Sequence, residues 1–293
     1  MGKLRTRISN SECRAPRWSP NGREIATSHT FHGPGVVFEL TGKRARVTGG
    51  PGSKLMGNTS DGLWSLSWLP DGEHLVGRIH QSGAVLVDAH KRGRTMPLVT
   101  GDAPTMEGFF PTVAPTGRHF TRVLGEWNGS GDLEVGSLQL VGGTTVKVKD
   151  PWDTTVHKGL AGQRAFVLPG PILEHEWSRD GARIVAIRAL RWYGGYGDFD
   201  YGFGELLLID VPSGETRVLA SAAKNPSLSP DGRFVAFESS EGDIRLLEVA
   251  KPELGVWSLH QGTVEPKWSP AGHAILTLDV AKHQGVILVL EPS

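Results

Sequence analysis

The chain has 293 residues, with 31 basic against 31 acidic side chains, 39 Gly, 19 Pro, nine Trp and one Cys. A net charge of zero gives no footprint for nucleic acid or an anionic membrane surface; the lone Cys13 excludes an internal disulfide framework and any CxxC metal cluster; and 38% hydrophobic residues exclude a disordered chain. No apolar run approaches the roughly 18 residues that span a bilayer, and the first twenty residues hold no signal-like apolar core. The expected product is a cytoplasmic monomer, or a periplasmic one if an export signal has been removed.

Taken in order, the chain opens on a strand-like run, KLRTRIS (3–9), and then repeats itself. RWSPNGREIATS (17–28) begins the first unit, followed by VVFEL (36–40) and RARVT (44–48). SWLPDGEHLVGR (67–78) begins the second, followed by AVLVD (84–88) and TMPLVT (95–100). TVAPTGRHFTRV (112–123) begins the third, with TTVKVK (144–149) as its last strand. EWSRDGARIVAI (176–187), ELLLID (205–210) and TRVLA (216–220) form the fourth. SLSPDGRFVAFE (227–238), IRLLEV (244–249) and VWSLH (256–260) form the fifth. KWSPAGHAILTL (267–278) and VILVL (286–290) form the sixth, which runs out before a fourth strand.

The six leading positions, Trp18, Trp68, Val113, Trp177, Leu228 and Trp268, recur at roughly fifty residues, a period that marks a repeat architecture. Gly22, Gly72, Gly117, Gly181, Gly232 and Gly272 each follow a turn-forming residue, where a positive φ is cheap only without a Cβ. Four short antiparallel strands per unit, none able to bury both faces alone, predict an all-β, six-bladed β-propeller filling residues 1–293 as one domain. Residues 3–9 resemble the fourth-strand pattern and are expected to supply the outer strand of the last blade, closing the ring.

The WSPNG, LPDGEHL, SPDGRFVAF and WSPAG segments resemble the WD40-like (PD40) repeat of TolB-type six-bladed propellers along essentially the whole chain. The resemblance implies the fold. It does not fix the activity, because that repeat serves lipoprotein- and colicin-binding TolB, peptidase gating domains and sugar-acid lyases alike. The chain departs from TolB in its degenerate third repeat and its long third-to-fourth spacing, and it is expected to be a bare propeller without the export signal and N-terminal α/β domain that TolB carries.

Strand alternation puts the glycine turns at one end of the ring and the loops between second and third strands at the other, the end that other propellers most often use for ligands. The longest of those loops, RWYGGYGDFDYGFG (191–204), carries Trp192, Tyr193, Tyr196, Phe199 and Tyr201 among five glycines and holds all three tyrosines of the chain. With Trp127 and Trp152 beside it, this loop is expected to contact a protein or peptide partner, or a small carbohydrate, with no cofactor. The competing reading is a loop that folds its own rings over the axis. Asp198, Asp200 and Glu205 are only a faint echo of a calcium loop.

A second constellation, His29, His32, His80 and His283, falls in loops of neighbouring units. Such imidazoles could hold a divalent metal, Mn, Zn or Fe, for a lyase or hydrolase, as the resemblance to sugar-acid lyases implies. Their competing reading is polar surface. His74, His119 and His273 stand beside the glycine turns and read as structural. No GxSxG, HExxH, Walker A or dinucleotide motif is present. Trp18, Trp68, Trp177 and Trp268 are expected as core rather than as a ligand box.

Overall fold

A computed structural model describes residues 3–9, 13–29, 36–41, 44–47, 63–79, 83–90, 95–97, 108–116, 119–127, 133–142, 163–168, 172–189, 203–279, 281 and 284–290. The described chain is all β apart from one short 3-10 turn at Pro252–Leu254. Strand β1 is Lys3–Ser9. Strands β2 (Cys13–Trp18), β3 (Glu24–His29), β4 (Val36–Thr41) and β5 (Arg44–Val47) form one antiparallel sheet, and β6 (Leu63–Trp68), β7 (His74–Ile79), β8 (Gly83–Asp88) and β9 (Thr95–Pro97) form the next. A third contains β10 (Gly108–Val113), β11 (His119–Trp127), β12 (Leu133–Gly142) and β13 (Gln163–Leu168). A seven-stranded sheet follows: β14 (Ile172–Trp177), β15 (Arg183–Ala189), β16 (Gly204–Asp210), β17 (Thr216–Leu228), β18 (Phe234–Ser239), β19 (Asp243–Glu248) and β20 (Val256–Gln261). Finally β21 (Thr263–Trp268), β22 (Ala274–Asp279) and β23 (Gln284–Val289) form a sheet with β1, which pairs antiparallel with β23 from Lys3↔Val289 to Ser9↔Gln284.

Two strands differ from the sequence reading. The fourth strand of the third sheet is β13, which pairs with β12 from Leu138↔Leu168 to Gly142↔Gln163. The expected strand at 144–149 lies outside the described residues. β17 does not stop at residue 220 but continues to Leu228, closing one set of four strands with its first half and opening the next with its second.

In at least four of the described turns between first and second strands, side chains clasp the backbone. In the fifth unit Gly232 sits at φ 68. The Ser229 hydroxyl donates to Asp231 Oδ1 (2.6 Å) and accepts from the Phe234 amide (2.9 Å), while Asp231 Oδ1 also accepts from the Arg233 amide (3.0 Å). Ser178 and Asp180 repeat it, as do Ser19 and Asn21. In the second unit Leu69 replaces the serine. There Asp71 accepts from the Glu73 and His74 amides, and its other oxygen meets His74 Nδ1 at 2.8 Å, so this histidine is structural. These are the side-chain-to-backbone bonds that give Ser, Asn and Asp their preference for turns.

The apolar core lies between sheets rather than within one. Ala26 and Val37 pack with Leu66, Trp68, Leu75 and Val87 of the next sheet. Ile25 and Phe38 pack with Ala274, Leu276 and Ile287 from the C-terminal sheet. Because both faces are covered, the second strands read as nearly continuous apolar runs, and each fully buried Ile or Leu stabilises by about 1.5–3 kcal/mol. No helix among the described residues is long and apolar enough to cross a membrane.

Candidate functional site

Every first strand carries a register shift ahead of its leading position, ending one residue before it in five units and at Glu174, three residues before Trp177, in the fourth. The register shifts fall at Arg14/Arg17, Trp64/Ser67, Phe109/Thr112, Ile172/Glu174, Lys224/Ser227 and Val264/Lys267. A bulge re-aims the residues that follow it. In five units the residue that ends the shift, Arg17, Ser67, Thr112, Ser227 or Lys267, stands just before the leading position where first strands of neighbouring sheets meet, and Glu176 holds the same place in the fourth.

Hydrogen bonds at that position link neighbour to neighbour. Trp68 Nε1 donates to Arg17 O (3.1 Å), the Val113 amide to Ser67 Oγ (3.2 Å), and Trp177 Nε1 to Thr112 O (3.3 Å). The Leu228 amide donates to Glu176 Oε1 (3.3 Å), the Trp268 amide to Ser227 Oγ (3.0 Å), and Trp18 Nε1 to Lys267 O (3.2 Å). Where the leading residue is Val or Leu and brings no indole, its backbone amide takes a side-chain acceptor instead. Trp268 uses its amide, and its buried indole N–H has no partner.

These strands enclose a cavity of about 390 Å³. Its wall comprises the repeat aromatics, Arg17, Ser67, Thr112, His175, Glu176 and Lys267, and the turn residues Pro20, Pro70, Pro115, Arg179, Pro230 and Pro270, which place it at the glycine-turn end. Trp68, Trp177 and Trp268 are buried at 5–8% exposure, as expected of core, yet the same rings line this space.

The charges are unequally matched. Lys267 Nζ lies 3.0 Å from Glu176 Oε2 and donates to Pro226 O at 3.1 Å, while Glu176 Oε1 also accepts from the Ser227 hydroxyl (2.9 Å). Burial pushes the Lys267 ammonium below the usual lysine range, against the pull of Glu176. Arg17 makes one long bond, Nη1 to Pro16 O at 3.4 Å, and no carboxylate faces it among the described residues. His175 lies 2.5 Å through Nε2 from Thr121 Oγ1, and its pKa is pushed down to about 3 by burial and then by the charges of Arg17 and Lys267. The imidazole is therefore neutral. Behind it, burial raises the Glu174 and Glu238 carboxyls, which accept from the Asn225 amide and side chain.

Most of the residues singled out from sequence are not among those the structure describes. Trp152, Trp192, Tyr193, Tyr196, Phe199 and Tyr201 fall outside the described residues, as do His32, His80 and His283. Trp127 ends β11 and His29 ends β3, both at the end of a second strand away from the glycine turns. β15 and β16 bring Ala189 opposite Gly204, so segment 190–203 leaves and rejoins the sheet at that same end. Phe203 at its root is half-buried beneath Lys224 Nζ, 4.7 Å from the ring centroid. Glu205 is bound by Arg188 through Nε (2.8 Å) and Nη2 (2.6 Å) and is not a free calcium ligand. Among the described residues no group of three or more His, Cys, Asp or Glu is placed to hold a metal ion. Sequence reading passed over Arg17, Glu176 and Lys267; the signal available was one column of the repeat, polar in every unit but occupied by five different residue types in six units.

No family model matches the chain, and no curated protein matches it in sequence. Among solved structures it is similar to the β-propeller domain of Cps50 (Swd1) from Myceliophteria thermophila, at 12% identity and a TM-score of 0.63, over 99% of this chain and 100% of that one. Read with the antiparallel sheets and their core between neighbours, the likeness establishes the fold: the chain is a β-propeller.

Proposed function

We propose that this chain is a non-enzymatic, TolB-like propeller of six blades that captures a protein or peptide partner through the end away from the glycine turns. The six-bladed closed ring is supported by the circuit of hydrogen bonds from each first strand to the next, which returns from Lys267 to Trp18, and by the pairing of β1 with β23. The observation that carries the binding surface is the Ala189↔Gly204 root of the aromatic segment. It anchors a stretch rich in Trp and Tyr at one end of the sheet, and such side chains dominate interface energetics when they are buried by a partner. Binding residues are disproportionately carried on loops that a rigid scaffold positions. In this reading Trp192 and Tyr196 are its main anchors, and Trp127 and Trp152 contribute to the same partner contact.

The test is affinity capture from a lysate of the native host, with bound proteins quantified by mass spectrometry for wild type and for Trp192→Ala/Tyr196→Ala. The double variant is expected to melt like wild type and to lose its specifically captured protein. A second apolar surface serves as control: Leu254, Val256 and Trp257 stay exposed on and beside the outer strand β20, Trp257 at 46%. If Trp257→Ala abolishes capture while the loop variant retains it, the loop reading is wrong.

A further inference from the structure

The outer strands of the sheets end on backbone edges that another strand could pair with, and proteins blunt such edges with charges, prolines or shortness. Here they are guarded unequally. β5 carries Arg44 and Arg46, β13 Arg164, the first half of β17 Arg217, and β1 three cations from Lys3 to Arg7. β9 has three residues and ends on Pro97. β20 (VWSLHQ) has neither a charged residue nor a proline, and it ends the seven-stranded sheet, so among the described residues no strand pairs with its second edge. The side chains there are bare as well. Consecutive strand residues point to opposite faces, yet Val256 and Trp257 are both exposed, at 38% and 46%, so neighbouring blades cover neither face at this place. Leu254, in the turn that leads into the strand, is 62% exposed. The register against β19 is regular from Leu247↔Val256 to Arg245↔Ser258 and shifts beyond it, which fits a short added strand.

Area and charge decide what fits this edge. Three partly exposed side chains offer at most a few hundred Å² of apolar surface, under the roughly 800 Å² per partner that a stable pair of rigid proteins buries, and a second propeller would meet the edge only along one strand. A flexible segment needs less apolar area, because main-chain hydrogen bonds supply affinity and side chains select the sequence. β20 itself is uncharged, and the exposed Lys251 and Glu253 beside it are of opposite sign, so a neutral segment pairs without burying an unmatched ion. We propose that β20 is a docking edge for an extended, uncharged segment of a partner protein, which adds to the fifth unit as a further strand and lays its apolar side chains against Val256 and Trp257. The edge lies on the outer strand of its blade, apart from the end of the sheet where segment 190–203 is rooted.

Short fluorescein-labelled peptides that alternate threonine with valine, isoleucine or phenylalanine are titrated with the wild-type chain, and binding is read by fluorescence polarisation. At least one peptide is expected to bind saturably. Of its two copies N-methylated at alternate positions, one removes the N–H donors that face β20 and is expected to bind about tenfold weaker or worse, as is a copy with aspartate at the apolar positions. Trp257→Lys and Val256→Lys give β20 the kind of charge that other outer strands carry, and both are expected to melt like wild type and to weaken the peptide severalfold. Either folded variant carries the test alone. Trp192→Ala/Tyr196→Ala is expected to bind the peptide like wild type, which keeps this edge distinct from the loop surface. The proposal is overturned if no peptide binds, if both N-methylated copies bind like their parent, or if a folded Trp257→Lys retains full affinity. It is also overturned if sedimentation velocity shows that wild type self-associates and Trp257→Lys does not, which would assign the edge to a second copy of the chain.

Discussion

Glu176 is the node at which three first strands meet, and its replacement by leucine tests how the wall of the channel is held. One oxygen takes the Ser227 hydroxyl and the Leu228 amide of β17; the other takes the ammonium of Lys267 on β21. Lys267 is 7% exposed and already pays for its burial with a lowered pKa. Glu176→Leu leaves that ammonium with one carbonyl, and removing one partner of a buried pair costs about 3–5 kcal/mol. At about 2 °C per kcal/mol, the low end for large domains, the melting temperature falls by roughly 6–10 °C. Lys267→Met is milder, about 1–3 kcal/mol, because Glu176 keeps two donors and a partly exposed side chain. The double variant buries no lone charge and is expected to lose only about 1–3 kcal/mol, far less than the two single losses together. The pH dependence has a definite sign. A lysine whose folded pKa lies below its ordinary 10.5 binds fewer protons folded than unfolded between those two values, so stability rises with pH across that window. In Glu176→Leu the rise is larger and starts at lower pH, and in the double variant it disappears. Urea unfolding from neutral to alkaline pH measures both effects. Strict additivity of the two losses, with no pH dependence in Glu176→Leu, would refute the argument that a stranded charge sets the cost.

Three other outcomes follow from the same geometry. A Cβ on Gly204 would stand 2.3 Å from the Arg188 carbonyl oxygen, whereas Gly214 at φ 74 has open space around it. Gly204→Ala is therefore expected to cost about 2–3 kcal/mol; Gly214→Ala costs about 1, and Asn, which tolerates a positive φ, restores stability only at position 214. The Ser178 hydroxyl and the Ala182 amide hold the Asp180 carboxylate below its ordinary 3.8. Its stabilisation is thus present above pH 3.8 and lost as pH falls through the lower folded value, so the deficit of Ser178→Ala, about 1 kcal/mol at pH 7, is expected to shrink in acid melts. Deleting residues 1–9 uncovers the edge of β23, and both a lower melting temperature and concentration-dependent light scattering are expected; an unchanged, monomeric product would mean that β1 contributes no essential pairing.

The strand plan was legible because its punctuation is local. A Ser, an Asp or Asn and a Gly at fixed offsets specify a turn without reference to the rest of the chain, and five of the six leading positions are buried as their spacing implied, while all six line the cavity. Pairing is different. QRAFVL at 163–168 carries no local mark that it is the strand to pair with β12, a partner 20 or more residues away in the chain. Nor does SAAKNP at 221–226 look like strand interior, yet β17 runs through it, with Ala222 and Asn225 at positive φ absorbing the irregularity. The cavity was illegible for a further reason. Arg17 and Lys267 come from opposite ends of the chain, and no window of sequence holds both.

The repeat also explains why its site is asymmetric. Turn and leading positions vary within narrow limits, since the first must close a tight turn and the second must give a donor, indole or backbone amide, to the neighbouring sheet. The position before the aromatic is constrained only to offer the next unit an acceptor, and a backbone carbonyl, a serine hydroxyl and a glutamate each satisfy that demand. Side-chain identity there is consequently free wherever a carbonyl serves, as at Arg17, Thr112 and Lys267. Charge can collect at those places without weakening the links. Glu176 must serve as acceptor and counter-ion together, which ties it to Lys267 and leaves Arg17 as the unmatched cation. Chemistry in this fold therefore concentrates where the repeat tolerates difference, and the most regular part of the sequence encloses its least regular wall.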